Sequence, residues 1–286
     1  MQFLKNFGRQ LFFRWHDQFA SNRRISWCRM TYRYPSCSLG RKVQVDWYLP
    51  PGFFNRSIPR FPVLIMNDGQ DLLQMQVPQH LEDLLQQQQI RPWVILGIHA
   101  GDRTQEYGTI DRPDYAQRGT RAKAYAQFLE KELYPRILRK LQQELPTDLA
   151  IAGFSLGGLS AFDLAWEQVL PFRKVGVFSG SFWWRSKKFK PKDPDADRIV
   201  IDKIESTSKL PPLRYWMQTG TEDEKADRNK NGVIDAIDDT LDVIASLKER
   251  GVPENKIEYF EVKGGKHEPD TWGKAFPDFM KWLERS

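Results

Sequence analysis

The chain is poor in the groups that would send its chemistry elsewhere. Among 286 residues it has only two cysteines, Cys28 and Cys37. One possible pair in a large domain is no disulfide framework, although the two could face each other across a first hairpin; free thiols without a catalytic part are expected. There is no apolar run of bilayer-spanning length. The start, Met1-Gln2-Phe3-Leu4-Lys5-Asn6-Phe7-Gly8-Arg9, is basic but lacks the apolar core and small-residue cleavage site of a secretory leader, so the cytoplasm is the default expectation. Internal repeats are absent. Histidines number four, His16, His80, His99 and His267, which narrows any search for a general base.

What is present suits one globular domain. The length supports a sizeable core, and 40% apolar residues with ten tryptophans is compatible with a folded protein. Alternating segments Ile25 to Tyr34 and Lys42 to Leu49 predict antiparallel strands. Short apolar runs at Val63 to Met66, Trp93 to His99, Leu149 to Ala152, Lys174 to Phe178, Leu213 to Gln218 and Lys256 to Val262 predict mostly buried parallel strands. Helical spacing covers Pro78 to Gln88, Arg121 to Glu144, Leu156 to Val169, Thr240 to Arg250 and Trp272 to Glu284. Such alternation implies an α/β fold, a mostly parallel central sheet of about eight strands with helices on both faces. Residues 1–24 read as a basic amphipathic segment, with Leu4, Phe7, Leu11, Phe12, Trp15 and Phe19 at helical spacing and docking on its own domain as the expected use. Residues 25–286 read as a single domain.

Gly153-Phe154-Ser155-Leu156-Gly157 directly follows the run Leu149-Ala150-Ile151-Ala152 and precedes a helical pattern. This is the G-x-S-x-G nucleophile elbow in its expected setting, a buried strand, a sharp turn and a helix. A serine hydroxyl needs a base, and the base needs an orienting acid. In an α/β-hydrolase the order along the chain is serine, acid, histidine. Only His267 lies late enough, and Gly264-Gly265 before it frees the backbone to aim the ring. The acidic loop after Leu213 to Gln218 offers Asp223, with Glu222, Glu224 and Asp227 as competitors.

With these motifs in hand, the chain from about Arg24 onward resembles the esterase-D-like, or "putative esterase", branch of the α/β-hydrolases. The resemblance rests on Asp68-Gly69-Gln70, Arg103-Thr104-Gln105-Glu106-Tyr107, Gly153 to Gly158, Ser179-Gly180-Ser181-Phe182-Trp183-Trp184, Gly220-Thr221-Glu222-Asp223, and Gly264-Gly265-Lys266-His267 with Trp272. It implies the α/β-hydrolase fold and a catalytic set of Ser155, Asp223 and His267, the acid being the fourth residue of a G-T-x-D loop. It also implies an oxyanion hole from the backbone N–H groups of Leu156 and Gln70. Siderophore, feruloyl and acetylxylan esterases share this branch, so the expected partner is a small-molecule aromatic, sugar or siderophore ester. Acyl transfer on the same fold and a hydrolase-like binding module without turnover are the alternatives.

Two further features bear on the site. Asp227-Arg228-Asn229-Lys230-Asn231-Gly232-Val233-Ile234-Asp235-Ala236-Ile237-Asp238 follows the calcium-loop template. Asp227, Asn229, Asn231, Val233 (by its carbonyl), Asp235 and Asp238 stand at ligand places, and the turn-forming glycine is sixth. A structural Ca2+ is expected, although Asp238 stands where glutamate is usual. Residues 1–60 carry eleven Lys or Arg against two Asp, and Arg185 to Lys192 adds a second basic patch beside Trp183-Trp184. Aromatic rings next to cations suit a planar or acidic substrate, so Trp183, Trp184 and Arg103 are candidate substrate contacts, with Arg103 and Glu106 read most simply as an ion pair. No recognition module accompanies the charge, so nucleic-acid binding is not expected, and neither is membrane association.

Overall fold

Eight strands form one sheet in the computed structural model, which describes residues 27–54, 60–142 and 144–285. The strands are β1 (Cys28–Ser36), β2 (Arg41–Leu49), β3 (Val63–Asn67), β4 (Val94–Ile98), β5 (Leu149–Phe154), β6 (Lys174–Phe178), β7 (Arg214–Glu222) and β8 (Ile257–Lys266). Their spatial order is β1-β2-β4-β3-β5-β6-β7-β8. The β1/β2 and β2/β4 pairs are antiparallel and the remaining five are parallel. This is the α/β-hydrolase fold. Alternation in the first hairpin and unbroken apolar runs afterwards follow from burial, since β3, β4, β5 and β6 are covered on both faces.

The helices are α1 (Val77–Gln86), α2 (Arg103–Glu106), α3 (Ala122–Gln127), α4 (Tyr134–Leu141), α5 (Leu156–Trp166), α6 (Ile199–Ser206), α7 (Asp235–Glu249) and α8 (Pro269–Leu283). One face of the sheet packs α1 and α8 through Leu81, Phe276, Phe279 and Met280 against Leu64, Met66, Ala152 and Trp216. The other packs α4, α5 and α7 through Ile137, Phe162 and Val243 against Ile65, Ile151 and Met217. All eleven residues of α5 are buried, which accounts for its lack of a polar stripe.

Three differences from the sequence expectations have local causes. The helix expected over Arg121 to Glu144 is broken by a π turn over Phe128–Leu133. Pro135 has no N–H to donate back and its ring would crowd the carbonyl four residues earlier, so a widened turn absorbs the strain. α2 and α6 had no expectation, being too short to show periodicity. α7 begins at Asp235, five residues before the expected start, because Asp235 and Asp238 suit the positive end of a helix. The basic segment expected over 1–24 lies outside the described residues. Cys28 and Cys37 form no disulfide, and no helix among the described residues is long and apolar enough to cross a membrane.

The parallel strands set the position of the site. Loops leaving the carboxyl ends of β3, β5, β6, β7 and β8 carry Asp68, Ser155, Ser181, Asp223 and His267 respectively, which is where ligands meet an open α/β sheet.

Candidate active site

Strand β5 and helix α5 approach so closely that a Cβ on Gly153 would lie 2.2 Å from the Gly157 carbonyl oxygen. Ser155 turns the chain between them at φ 54° and ψ −122°. That is a costly conformation for a residue with a side chain, and it is held because the surrounding structure allows no other path. The Ser155 hydroxyl lies 3.4 Å from the Ser181 hydroxyl, and the Ser155 carbonyl accepts from the Ser181 N–H.

A dense polar brace ties the β3 loop to this turn. Asn67 Nδ2 donates to the Gly157 carbonyl at 2.8 Å, and Asn67 Oδ1 accepts from the buried Tyr125 hydroxyl at 2.6 Å. The Tyr107 hydroxyl accepts from the Asp68 N–H at 3.0 Å. Arg103 grips both Asp68 carboxylate oxygens, at 2.9 and 3.1 Å, and donates to the Phe154 carbonyl at 3.0 Å. The expected Arg103–Glu106 ion pair is therefore not formed. Glu106 is wholly buried against Arg41, and the Arg103 side chain keeps about a third of its surface exposed at the rim. The backbone N–H of Leu156 heads α5, whose first N–H groups have no partner within the helix. Neither that N–H nor that of Gln70, in the short turn Gly69–Asp71, donates to any described residue.

On the far side, β7 and β8 bring the acid and the imidazole together. Gly220 passes against Gly265, where a Cβ would meet the carbonyl oxygen at 2.3 Å. Of the four carboxylates weighed from the sequence, Asp223 alone is buried, while Glu222 and Glu224 are exposed and Asp227 lies half-buried in the loop beyond. Asp223 Oδ2 accepts from the Gly220 N–H at 3.0 Å. Its Oδ1 is buried without a hydrogen bond and lies 3.8 Å from His267 Nδ1. The imidazole meets Trp272 edge-on with centroids 5.4 Å apart, and Trp272 stacks on Phe154 and donates to the Ser179 hydroxyl at 3.0 Å. Trp272 thus connects the histidine loop to the residue before Ser155. The imidazole makes no hydrogen bond to Ser155 in this arrangement.

Burial pushes the Asp223 carboxyl up, against the pull of the Gly220 N–H, the Ser179 hydroxyl and His267. Burial likewise pushes the His267 imidazole down, opposed by Asp223 and assisted by Arg103. Both shifts favour a neutral imidazole beside the acid.

Trp183 is 37% exposed, but Trp184 is wholly buried against Gly108 and Gly119 and belongs to the core, which corrects its assignment as a substrate contact. In the calcium-like loop, Asn229 Nδ2 and Asn231 Nδ2 both donate to Asp238, and Asp227 accepts from the Asn231 and Gly232 N–H groups. Asp235 instead accepts from the Arg228 N–H, and Val233 donates to Asn231 Oδ1. Among the described residues no group of three or more His, Cys, Asp or Glu is gathered closely enough to hold a metal ion. The sequence shows Tyr107 only as the end of the Arg103–Tyr107 motif, with no role attached, and nothing in its spacing marks Asn67 or Tyr125.

Comparison with known proteins agrees with this architecture. The model of the family described as "putative esterase" matches residues 36–283. Uncharacterized protein YbbA of Bacillus subtilis (strain 168) is 28% identical over 241 residues, covering 82% of this chain and 90% of that protein. A ferulic acid esterase structure superposes with a TM-score of 0.67 at 16% identity, covering 91% of this chain and 98% of that one. The enterobactin esterase FES from Shigella flexneri gives a TM-score of 0.65 at 21% identity over 91% of this chain, which spans 59% of that enzyme's length. These two structural likenesses establish the fold.

The electrostatics give a direct expectation. The His267 ring protons, followed by NMR, should titrate below the ordinary histidine value of about 6.5. Because the Asp223 charge raises that value, Asp223→Asn should lower it further. A titration at or above the ordinary value, or an upward move in the variant, would contradict the assignment of desolvation as the dominant cause.

Proposed function

Since the chain belongs to the putative esterase family and is a carboxylic ester hydrolase, we propose that it is a serine esterase with Ser155 as nucleophile, His267 as general base and Asp223 as the orienting acid. The observation that carries this reading is the orphaned Asp223 Oδ1, buried beside His267 Nδ1 while Ser155 occupies the strained elbow on the neighbouring loop. Asp223 Oδ1 makes no hydrogen bond among the described residues, although the Ser179 hydroxyl pulls on the carboxyl, and an Nδ1–H turned toward it would satisfy it. Catalytic hydrogen bonds commonly tighten only once substrate is bound, so a 3.8 Å separation suits a site awaiting its ligand.

In this mechanism Ser155 Oγ attacks the ester carbon as His267 Nε2 accepts the hydroxyl proton. The carbonyl oxygen becomes an oxyanion held by the unused N–H groups of Leu156 and Gln70. The imidazolium returns the proton to the departing alcohol as the C–O bond breaks, leaving an acyl-serine. Water then attacks with the same base, the serine takes back its proton, and the carboxylic acid leaves. A neutral imidazole is the form this sequence needs, and burial of His267 supplies it over a wider pH range than free histidine would. Each oxyanion donor contributes on the order of 10²–10³ in rate.

A calcium ion in the Asp227–Asp238 loop is a second proposal. Asp227, Asn229, Asn231 and Asp238 already converge, and all can offer oxygen, the donor this ion prefers. Asn229 and Asn231 would have to turn their amide oxygens inward, and Asp235 would have to leave the Arg228 N–H. The ion would tie the segment after Asp223 to the start of α7.

Hydrolysis of p-nitrophenyl acetate by wild type and Ser155→Ala tests the first proposal. The variant should lose about 10³-fold or more in kcat with its melting temperature preserved; equal rates would exclude Ser155 as nucleophile. For the second, millimolar Ca2+ should raise the melting temperature and EGTA should reverse the rise, an effect Asn231→Ala removes. An unchanged melting temperature would leave the loop without a metal role.

A further inference from the structure

Most large apolar side chains of this protein are buried, yet three of the exposed ones, Tyr115, Trp183 and Phe189, share a single cleft of about 320 Å³ with Arg185, Arg228 and Asp235. Their clustering is not a loose surface accident. Arg118, anchored by Asp114 at 2.7 Å, stacks at 5.9 Å from the Tyr115 ring, 4.9 Å from Trp183 and 5.2 Å from Trp184. The cation fixes the rings at the cleft wall.

Arg185 is the exceptional residue here. It is 6% exposed, and its Nη1 donates to the Ala196 carbonyl at 2.5 Å. Among the described residues its Nη2 is buried with no partner, and no carboxylate forms an ion pair with it. The nearby acids are already engaged, Asp239 and Asp242 by Arg198, and Asp195, Asp235 and Asp239 by Arg228. Burial and those two arginines hold its pKa below the ordinary guanidinium value. A buried, unpaired cation is unfavourable in the free protein. A ligand anion would relieve it, and a carboxylate matches the planar guanidinium.

The cleft is joined to the reacting groups by a short stretch of chain, although none of Ser155, Asp223 and His267 lines it. The Ser181 hydroxyl is 3.4 Å from that of Ser155, Trp183 follows two residues later and Arg185 four. With consecutive Cα atoms 3.8 Å apart, Arg185 starts within about 15 Å of Ser181.

We infer that this cleft binds the portion of an ester substrate that carries both an aromatic ring and an ionised carboxylate, the ring lying on Trp183 and the carboxylate on Arg185 Nη2. The inference rests on the serine-esterase reading for its link to turnover but not for binding. The Phe189 ring, 43% exposed with its centroid 5.9 Å from the Arg185 guanidinium carbon, lines the same cleft, and anion binding requires it to turn aside. Arg185 discriminates charge, the rings discriminate planarity, and neutral aliphatic esters gain from neither.

Two measurements test it. In Ser155→Ala protein, benzoate titrated against tryptophan fluorescence and calorimetry should bind at least about tenfold more tightly than benzyl alcohol, the scale of one charge-assisted hydrogen bond. Arg185→Met should abolish that preference while Arg185→Lys keeps part of it. Should Arg185→Met melt early, Trp183→Ala serves instead, and it should weaken benzoate binding by a similar factor. In otherwise wild-type enzyme, the ratio of kcat/KM for 4-acetoxybenzoate over phenyl acetate should fall about tenfold on Arg185→Met. Equal binding of benzoate and benzyl alcohol, or a preference that survives Arg185→Met, overturns the inference. Preferential benzoate binding in a protein that hydrolyses neither ester would sustain the cleft and reject the serine-esterase reading.

Discussion

The close passage of β5 beneath the start of α5 is the constraint on which the site depends. With no room for a side chain at Gly153, the chain can reverse only through Ser155 at positive φ. The hydroxyl is thereby presented at the carboxyl end of the sheet, with the first N–H groups of a helix beside it. The cost of that conformation is met by neighbours that leave the turn no alternative. Asn67 fastens Gly157, and Arg103 fastens Asp68 and the Phe154 carbonyl together. The loop after β3 and the elbow after β5 are thus tied together by hydrogen bonds, and the proposed oxyanion donors, the N–H groups of Leu156 and Gln70, sit on these two segments.

The acid and imidazole belong to a second unit, built from the ends of β7 and β8 and fastened to the first through Trp272. That ring touches His267, Phe154 and Ser179 at once. Here desolvation outweighs attraction. Asp223 and His267 are shifted in opposite directions by burial, each away from its charged form. Burial thus works against a charged pair at this position, and the two groups stand 3.8 Å apart.

Much of this is legible in the sequence. The unbroken apolar runs marked the parallel strands because they are buried on both faces, and G-x-S-x-G marked the elbow because only glycine fits there. Asp223 stood among four acidic candidates in the sequence, and burial is what distinguishes it. Other features left no trace in spacing. Tyr125 reaches the site from a helix whose sequence shows only an ordinary aromatic residue, and Tyr107 stands in the Arg103–Tyr107 motif without any sign that its hydroxyl accepts from the Asp68 N–H. The Arg103–Glu106 pairing inferred from proximity along the chain failed because a four-residue helix sends the two side chains to different partners, Asp68 and Arg41. Trp183 and Trp184 looked equivalent, yet neighbouring positions point in different directions and only one reaches solvent.

The proposed esterase reaction requires that one serine carry the acyl group during turnover. Intact-protein and peptide mass spectrometry after brief exposure to p-nitrophenyl acetate at low pH, where deacylation slows, tests it most directly. A single added acetyl group should appear, located on Ser155 and lost on raising the pH. Acetyl found on another side chain, or hydrolysis proceeding with none captured on Ser155 under conditions that trap related esters, would contradict it.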